Sequence, residues 1–288
     1  MRVGYIGLGN MGKPMASNLA PAGFETTVFD LVPKAVAEVV APGARAASSP
    51  FEVARACEVL CLCVPADEHV REVLIGKDGA RGALDGLAPG GVVAIHSTIR
   101  AETIHEMHEA VAARGCSVID AAVTGGESGA RSRTLVVLVG GESEVVERVR
   151  PVLDASSKLV VHAGARGAGS NLKLAVNLLG YVHFAAVREA FALVEVAGID
   201  SRHLIEATRA NGQLSDGEMA FVPQAARPQT ENLPPAAEPL MRTHLGTAEK
   251  DLAHALELAR KHGLALPTTA IVSQGMARIY RLDDPRRR

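Results

Sequence analysis

The chain opens on Arg2-Val3-Gly4-Tyr5-Ile6-Gly7-Leu8-Gly9-Asn10-Met11-Gly12, where a mainly apolar run leads into three glycines spaced as G-x-G-x-x-G. The run indicates a strand, and the apolar spacing from Met11 to Ala22 indicates a helix directly after it. In such a unit Gly7 permits the tight turn, Gly9 lets the backbone approach a pyrophosphate, and Gly12 lets the helix pack on the strand. The helix N-terminus adds unpaired N–H groups and the positive end of a dipole. The pattern favours a dinucleotide site over a purely structural glycine turn. The residues expected to line this site are Gly7, Leu8, Gly9, Asn10, Met11 and Gly12.

The first half of the chain alternates short apolar runs with longer amphipathic stretches. The continuous apolar run from Val59 to Val64 is typical of a parallel strand that is buried on both faces. The predicted strands are Arg2 to Ile6, Thr26 to Phe29, Val59 to Val64, Val92 to Ile95, Ser117 to Ile119 and Leu135 to Val139. Helices between them include Ala101 to Arg114 and Ser143 to Leu153. Because this alternation implies right-handed crossovers, we predict an α/β Rossmann domain with a doubly wound, mainly parallel sheet over residues 1–164.

The pattern changes near Gly164, and residues 165–288 are expected to form an all-helical second domain for substrate binding and oligomerisation. The stretch from Asn171 to Ala197 has helical spacing and no proline. A helix over about 169–197 is therefore predicted to join the two domains, with a length of roughly 40 Å at 1.5 Å per residue. Further helices are predicted at Ser201 to Ala210, Thr243 to His262 and Thr268 to Arg281, with Val222 to Pro239 as a long connection.

Composition narrows the possible partners. The 288 residues carry 30 basic and 32 acidic side chains, a net charge of −2, and few aromatic residues, namely 6 Phe, 3 Tyr and no Trp. A balanced charge gives no field to attract nucleic acid or an anionic membrane, and few aromatics leave few platforms for stacked bases. Four cysteines without a C-x-x-C pair, no apolar run of about 18 residues and no signal peptide favour a cytoplasmic protein with structural thiols. Arg286-Arg287-Arg288 is expected to be a solvated tail.

Asp30 closes the second predicted strand, 23 residues after Gly7. A carboxylate at about this distance is placed to accept a hydrogen bond from a ribose 2′-OH, and its charge repels a 2′-phosphate. The following Leu31-Val32-Pro33 offers no arginine to receive that phosphate, although Lys34 comes next. The expected cofactor is therefore NAD, with NADP possible. The alternative is that Asp30 only closes a turn.

A second motif, Gly167-Ala168-Gly169-Ser170-Asn171-Leu172-Lys173, leads into the long predicted helix. Asn177 lies one turn after Lys173 and therefore on the same face. In the first turn of a helix, the positive dipole end and partial burial both favour the neutral amine, which can exchange protons with an alcohol or a carbonyl. The residues alone do not decide between this proton-transfer role and an alternative. In the alternative, the stem of Lys173 covers apolar surface and its amine reaches water.

Two further segments follow predicted strands. In the stretch from Asp120 to Gly126, Thr124 offers a hydroxyl, and Gly125 and Gly126 leave backbone N–H groups to hold a carboxylate. A plain Gly-Gly turn is the alternative. Ser97-Thr98 follows the strand Val92 to Ile95, at the edge where such folds bind their cofactor. Its alternative is a cap for the helix that begins near Ala101.

The segment His105-Glu106-Met107-His108-Glu109 has the composition of a metal site but not the spacing. Its histidines are three residues apart, whereas the H-E-x-x-H zinc motif has them four apart. We therefore expect a solvated helix face here and no metal centre.

In order and over nearly the full length, these motifs resemble the β-hydroxyacid dehydrogenase family, which includes 3-hydroxyisobutyrate dehydrogenase and tartronate semialdehyde reductase and is related to 6-phosphogluconate dehydrogenase. The run from Gly7 to Ala16 is similar to the family's opening signature, and Val28-Phe29-Asp30 resembles its NAD-preferring members. The resemblance implies that Lys173 is the catalytic acid and base and that Asn177 orients the substrate. It also implies a homodimer or homotetramer. Cofactor contacts are implied for Val64, Pro65, His69, Thr98 and Lys250, and substrate carboxylate contacts for Thr124, Gly125 and Gly126.

The chain departs from the family pattern at several positions. In the family's D-A-P-V-S-G-G motif, Ala122 replaces the proline and Thr124 the serine, and Arg133 stands where a glycine is usual. His96 precedes Ser97-Thr98, and the aromatic residue that many members carry before Lys250-Asp251 is missing. We expect an NAD(P)-dependent oxidoreductase acting on a 3-hydroxyacid or semialdehyde, with the individual substrate left open. The alternatives are a non-catalytic dinucleotide-binding protein and an imine reductase-like enzyme.

Overall fold

The computed structural model describes residues 1–227, 231 and 233–283. The chain forms two compact units, Met1–Lys173 and Leu174–Arg288. The arginines at 286–288, expected to be a solvated tail, lie outside the described residues. Over the part of the chain that is described, no helix is both long and apolar enough to span a bilayer.

The first unit is built on one mixed sheet. Within the described residues its strands are β1 (Arg2–Ile6), β2 (Glu25–Phe29), β3 (Arg45–Ala46), β4 (Val59–Leu62), β5 (Val92–Ile95), β6 (Ser117–Thr124), β7 (Leu135–Gly140) and β8 (Ser157–Gly164). They lie in the order β3-β2-β1-β4-β5-β6-β7-β8. Neighbours pair in parallel except β6 and β7, which are antiparallel. The strand order reverses between β1 and β4, and folds of this class bind ligands beyond the strand ends at such a switch point. The predicted fold class is confirmed.

Helices connect the strands and cover both faces of the sheet. They are α1 (Gly12–Leu19), α2 (Pro33–Val40), α3 (Pro50–Arg55), α4 (Asp67–Ile75), α5 (Ala101–Ala112), α6 (Gly126–Arg131) and α7 (Ser143–Asp154), with a 3₁₀ turn at Ala83–Asp85. Alternate residues of one strand enter different cores. In β4, for example, Val59 and Cys61 join one core and Leu60 and Leu62 the other. This two-sided burial explains why the strands read as continuous apolar runs.

Two strands have no counterpart in the prediction. β3 has two exposed residues, and β8 is an edge strand whose mostly exposed side chains include Lys158 and His162. Neither an apolar run nor a strict alternation marks such edges, because they bury little surface. The antiparallel direction of β7 was not predicted either, since the sequence does not distinguish the two directions here.

Arg133 occupies a backbone conformation that favours glycine. Its φ is 59°, in the left-handed region, directly after α6. Its Nε donates a long bond of 3.4 Å to Oδ1 of Asn18 on α1. Glycine at this position would adopt the same φ at lower cost.

The second unit is helical. Its helices include the continuation of α8 (Ala168–Val196), which begins in the first unit, and α9 (Ser201–Ala210), α10 (Asp216–Met219), α11 (Val222–Ala225), α12 (Glu238–Lys261) and α13 (Pro267–Ile279). Large core side chains include Phe191, Leu252 and Met276. The expected long connection from Val222 to Pro239 is shorter than predicted: it holds α11 and a 3₁₀ turn at Pro235–Ala237, and α12 begins before Thr243, because Pro239 is tolerated in a first helical turn.

Candidate active site

The glycine-rich turn joins β1 to α1 and has the geometry of a phosphate cradle. Gly7 has a φ of 92°, and a Cβ built there would lie 2.3 Å from the carbonyl oxygen of Cys63. A Cβ on Gly12 would lie 1.9 Å from the carbonyl oxygen of Gly7, so both glycines are required by packing. In contrast, the space beside Gly9 is open within 4 Å. Leu8 is buried, Met11 is half-buried, and Gly9 and Asn10 are exposed. An open backbone in front of a helix N-terminus fits the pyrophosphate of a dinucleotide.

Asp30, which directly follows β2, is hydrogen-bonded to this turn. Its Oδ2 accepts a hydrogen bond from the backbone N–H of Leu8 at 2.5 Å, and its Oδ1 accepts one from Val32 at 2.8 Å. Asp30 therefore closes a local turn and also lies against the glycine-rich turn, so the two interpretations from the sequence are compatible. Leu31, next to it, is 88% exposed.

The segments that follow β4 and β5 are tied to each other by a side chain. The hydroxyl of Ser97 accepts a hydrogen bond from the backbone N–H of Val64 at 2.8 Å. The N-cap residue of α5 is Arg100, and neither Ser97 nor Thr98 occupies that position. Around this link, Val64, His69 and Thr98 are half-buried and Pro65 is exposed.

A buried aspartate joins the starts of α4 and α5 in the same region. Oδ1 of Asp67 accepts hydrogen bonds from the backbone N–H of Arg100 at 3.0 Å and from the hydroxyl of Thr103 at 2.6 Å. Asp67 was not singled out from the sequence, because an acidic residue in a first helical turn is common.

His96 extends the link from β5 to β6. Its Nδ1–H donates to the carbonyl oxygen of Ala121 at 2.8 Å, and its ring stacks on Tyr5 with centroids 6.0 Å apart. Burial lowers the pKa of His96 to about 4, so the ring is neutral near pH 7.

The candidate carboxylate-binding segment lies at the end of β6. Thr124 is half-buried, and Gly125 and Gly126, both exposed, have φ values of 121° and 67°. Only glycine adopts these conformations at low cost, so the chain can turn from β6 into α6 with its backbone accessible.

Lys173 lies on α8, whose first turn is held by a buried carboxylate. Asp120 accepts hydrogen bonds from the backbone N–H groups of Gly167 at 2.8 Å and Ser170 at 2.7 Å. Lys173 is 8% exposed. Because α8 begins at Ala168, the lysine lies in the second turn rather than the first, where the dipole effect is weaker. The expectation that Lys173 lies in the first turn of its helix is therefore wrong.

Asn177 and Lys250 belong to the second unit and share a buried partner there. Nδ2 of Asn177 donates to Oδ2 of Asp251 at 2.6 Å, and Nζ of Lys250 donates to Oδ1 at 2.8 Å. The hydroxyl of Tyr181 also donates to Oδ2, at 3.3 Å. Since a carboxylate only accepts hydrogen bonds, Asp251 orients the Asn177 amide with its nitrogen toward the carboxylate. Sequence reasoning assigns no role to Tyr181, which lies four residues after Asn177, and it identifies Asp251 only as the neighbour of Lys250.

The histidine-rich segment of α5 presents a polar face. Met107 is fully buried, whereas His105, Glu106 and Glu109 are exposed. Glu106 pairs with Arg71 at 2.8 Å. Across the described parts of the chain, no three His, Cys, Asp or Glu side chains form a group that could hold a metal ion.

We predict that removing the Asp30 charge weakens discrimination between the two nicotinamide cofactors. The wild-type protein should bind NADH more tightly than NADPH, and Asp30→Asn should reduce the ratio of the two Kd values about tenfold, since its amide no longer repels a 2′-phosphate. Fluorescence titration of the reduced cofactors measures both constants. Glu58→Gln is the control, because it removes the same charge directly before β4, whereas Asp30 directly follows β2. An unchanged ratio in Asp30→Asn would contradict the assignment.

We predict that His96 makes the fold less stable in acid. Its pKa is about 6.5 in an unfolded chain and about 4 when folded, so between these values the unfolded state binds a proton that the folded state does not. The free energy of unfolding should therefore fall as the pH drops from 6.5 to 4, by up to about 3 kcal/mol from this residue. Urea melts across this range should show a shallower pH dependence for His96→Asn than for wild type or for His203→Gln, a change at an exposed histidine. Equal slopes would exclude the buried neutral ring as the cause.

Comparison with known proteins places this geometry in a family. Residues 2–164 match the family model described as the NAD binding domain of 6-phosphogluconate dehydrogenase, and residues 167–285 match the one described as NAD-binding of NADP-dependent 3-hydroxyisobutyrate dehydrogenase. The chain is 40% identical over 219 residues to a 3-hydroxyisobutyrate dehydrogenase of Pseudomonas aeruginosa, covering 76% of this chain and 72% of that protein. It is 31% identical over 274 residues to the 2-(hydroxymethyl)glutarate dehydrogenase of Eubacterium barkeri, covering 95% and 87%.

A solved structure agrees over the same length. The crystal structure of a 3-hydroxyisobutyrate dehydrogenase from Salmonella typhimurium superposes with a TM-score of 0.81 at 29% identity, covering 96% of this chain and 93% of that one. The glycine cradle, the sheet order and the two matched models lead to one conclusion: the chain belongs to the β-hydroxyacid dehydrogenase family of NAD(P)-dependent oxidoreductases.

Proposed function

We propose that the protein catalyses the reversible oxidation of a small 3-hydroxy acid to the corresponding semialdehyde or keto acid, with Lys173 as general acid and base. The observation that carries the proposal is a buried lysine on a helix whose first turn is anchored to the sheet that also forms the glycine cradle. A lysine shielded from water exchanges protons with a hydroxyl more readily than a solvated one.

The proposed oxidation removes one hydride and one proton from the substrate. The nicotinamide of NAD, when bound, supplies the acceptor for the hydride that leaves the hydroxyl-bearing carbon. Nζ of Lys173, as the free amine, takes the hydroxyl proton, and the C–O bond becomes a carbonyl. In the reverse direction the protonated amine returns the proton to the carbonyl oxygen.

Three further groups orient the reactants in this proposal. Asn177, whose amide nitrogen is directed to Asp251, holds the substrate oxygen. Thr124 and the backbone at Gly125 and Gly126 bind the carboxylate. Binding of the cofactor falls to the turn from Gly7 to Gly12 and to Asp30, Val64, Pro65, His69, Thr98 and Lys250. The substrate class follows from the relatives, both of which are named for 3-hydroxy acids carrying a hydroxymethyl group.

The helical unit is proposed to carry substrate specificity and self-association. It leaves several large apolar side chains exposed, among them Leu193 at 68%, Val196 at 80% and Ile271 at 73%. Exposed apolar surface of this kind is typical of a protein interface, and we propose a homodimer or homotetramer. The four free thiols, three of them buried, accord with the proposed cytoplasmic location.

The lysine assignment predicts a loss of turnover without a loss of cofactor binding. Lys173→Ala and the apolar, similarly long Lys173→Met should bind NADH with unchanged Kd, while kcat falls by about a thousandfold or more, since proton transfer by a positioned side chain is worth about that much. The exposed Lys158→Ala is the matched control. Turnover retained by both Lys173 variants would exclude the lysine as acid and base. A screen of 3-hydroxy acids, semialdehydes and imines decides between the remaining alternatives. Turnover of imines alone would indicate an imine reductase-like enzyme. Cofactor binding without turnover of any of these compounds would indicate a non-catalytic protein.

The proposed self-association predicts a change of mass on substitution. Light scattering coupled to gel filtration should give a dimer or tetramer for wild type, and Leu193→Glu with Val196→Glu should shift it toward monomer, because buried charges oppose association. Ile75→Glu, at an exposed apolar residue of the first unit, should leave the mass unchanged. A monomeric wild type would refute the proposal.

A further inference from the structure

We propose that Asp120 is a positioning residue whose buried negative charge raises the proton affinity of Lys173 and so sets the pH range in which the lysine works. This inference rests on the proposed function, and it concerns a carboxylate that does not itself touch the reacting atoms.

The contact geometry fixes the carboxylate against the helix. Oδ1 of Asp120 accepts from the N–H of Gly167 and Oδ2 from the N–H of Ser170, so both oxygens are directed at the first turn of α8. Asp120 is 1% exposed. A Cβ on Gly140 would lie 2.6 Å from Oδ1, and a Cβ on Gly169 would lie 2.9 Å from Oδ2. The surrounding backbone therefore leaves the carboxylate no room to move away.

Helix geometry brings the charge close to Lys173. The lysine follows Ser170 by three residues, about 4.5 Å along the helix axis and on the same face. Side chains on a helix lean toward its N-terminus, and from this we infer that the stem of Lys173 lies over the turn that Asp120 holds. In this poorly solvated region a charge acts over a longer distance than in water.

Burial raises the pKa of the Asp120 carboxyl, and the hydrogen bonds from the N–H groups of Gly167 and Ser170 offset only part of that rise. The geometry identifies the ionised form, because each carboxyl oxygen accepts a hydrogen bond from an N–H group of α8. The same N–H groups form the positive end of the α8 dipole. The carboxylate thus offsets the positive end of this dipole.

Other titratable groups surround this helix end from neighbouring elements. From α5, His105 has its Nε2 3.3 Å from the position of a Cβ on Gly167, and His108 lies beside Arg166, which pairs with Glu142 at 3.3 Å. From β8, Nε2 of His162 lies 2.9 Å from the carbonyl oxygen of Gly141. From the end of β5, His96 bonds Ala121. From α12, the buried Asp251 accepts from the Asn177 side chain of α8 and pairs with Lys250 at 2.8 Å. Asp120 differs from Asp251 in that it binds the backbone of the first turn of α8 and has no cation paired with it in these contacts.

The first test removes the charge while keeping the side-chain shape. For Asp120→Asn, the acid limb of the pH profile of kcat/KM for oxidation should move about one pH unit lower, because the protonated amine loses a nearby negative charge. The pKa of Lys173 is also measured directly by NMR of protein labelled at lysine, with the Lys173→Met spectrum assigning the signal. Asp154→Asn, at an exposed position, should leave both values unchanged.

A second variant changes the charge in the opposite direction without touching the core. His105→Glu places a carboxylate at the exposed side of the same helix end, so the acid limb and the Lys173 pKa should move to higher pH. His203→Glu, on exposed α9, is the control. This variant keeps the proposal testable if Asp120→Asn does not fold.

The outcomes separate the two proposals. A lower melting temperature of Asp120→Asn with an unchanged limb and an unchanged Lys173 pKa would reduce Asp120 to a structural role and overturn the inference, as would a pKa that does not respond to His105→Glu. Turnover retained by Lys173→Met would instead refute the proposed function, and the NMR titration would still decide whether Asp120 controls the lysine.

Discussion

The structure depends on the bond between a buried carboxylate and the first turn of a long helix. Asp120 lies within the core of the first unit, and Gly167 and Ser170 direct their N–H groups to it. A buried charge is costly unless hydrogen bonds compensate it, and a helix start is costly unless its N–H groups find acceptors. Here the N–H groups at the start of α8 compensate the Asp120 carboxylate, and the carboxylate is the acceptor that those N–H groups need. The position of Lys173 relative to the sheet follows from that bond.

The same principle governs the edge of the sheet where the cofactor is expected. The strands end there, and side chains take the place of neighbouring strands as hydrogen-bond partners. Asp30 receives the N–H of Leu8, Ser97 receives that of Val64, and His96 reaches the carbonyl of Ala121. The backbone can therefore diverge into a crevice while its buried polar groups stay paired.

The sequence was sufficient for the features that local chemistry determines. The glycine turn, the apolar runs of the central strands and the long helix all have signals within a few residues. β8 was missed because an exposed edge strand carries no periodic apolar pattern. Gly167 lies 47 residues after Asp120, and Asn177 lies 74 residues before Asp251, and no local spacing reports such contacts. His96 was visible as a departure from the family, but its link to Ala121 required the register of β5 and β6.

Hydride transfer from the substrate carbon to the nicotinamide is tested directly by an isotope label. A 3-hydroxy acid deuterated at the hydroxyl-bearing carbon is incubated with the protein and NAD, and the mass of the reduced cofactor is measured by mass spectrometry. We expect reduced cofactor one mass unit heavier than that from the unlabelled acid, formed about a thousandfold or more slowly by Lys173→Met. Reduced cofactor without the label, or no reduction by any 3-hydroxy acid that the protein binds, would contradict this hydride transfer.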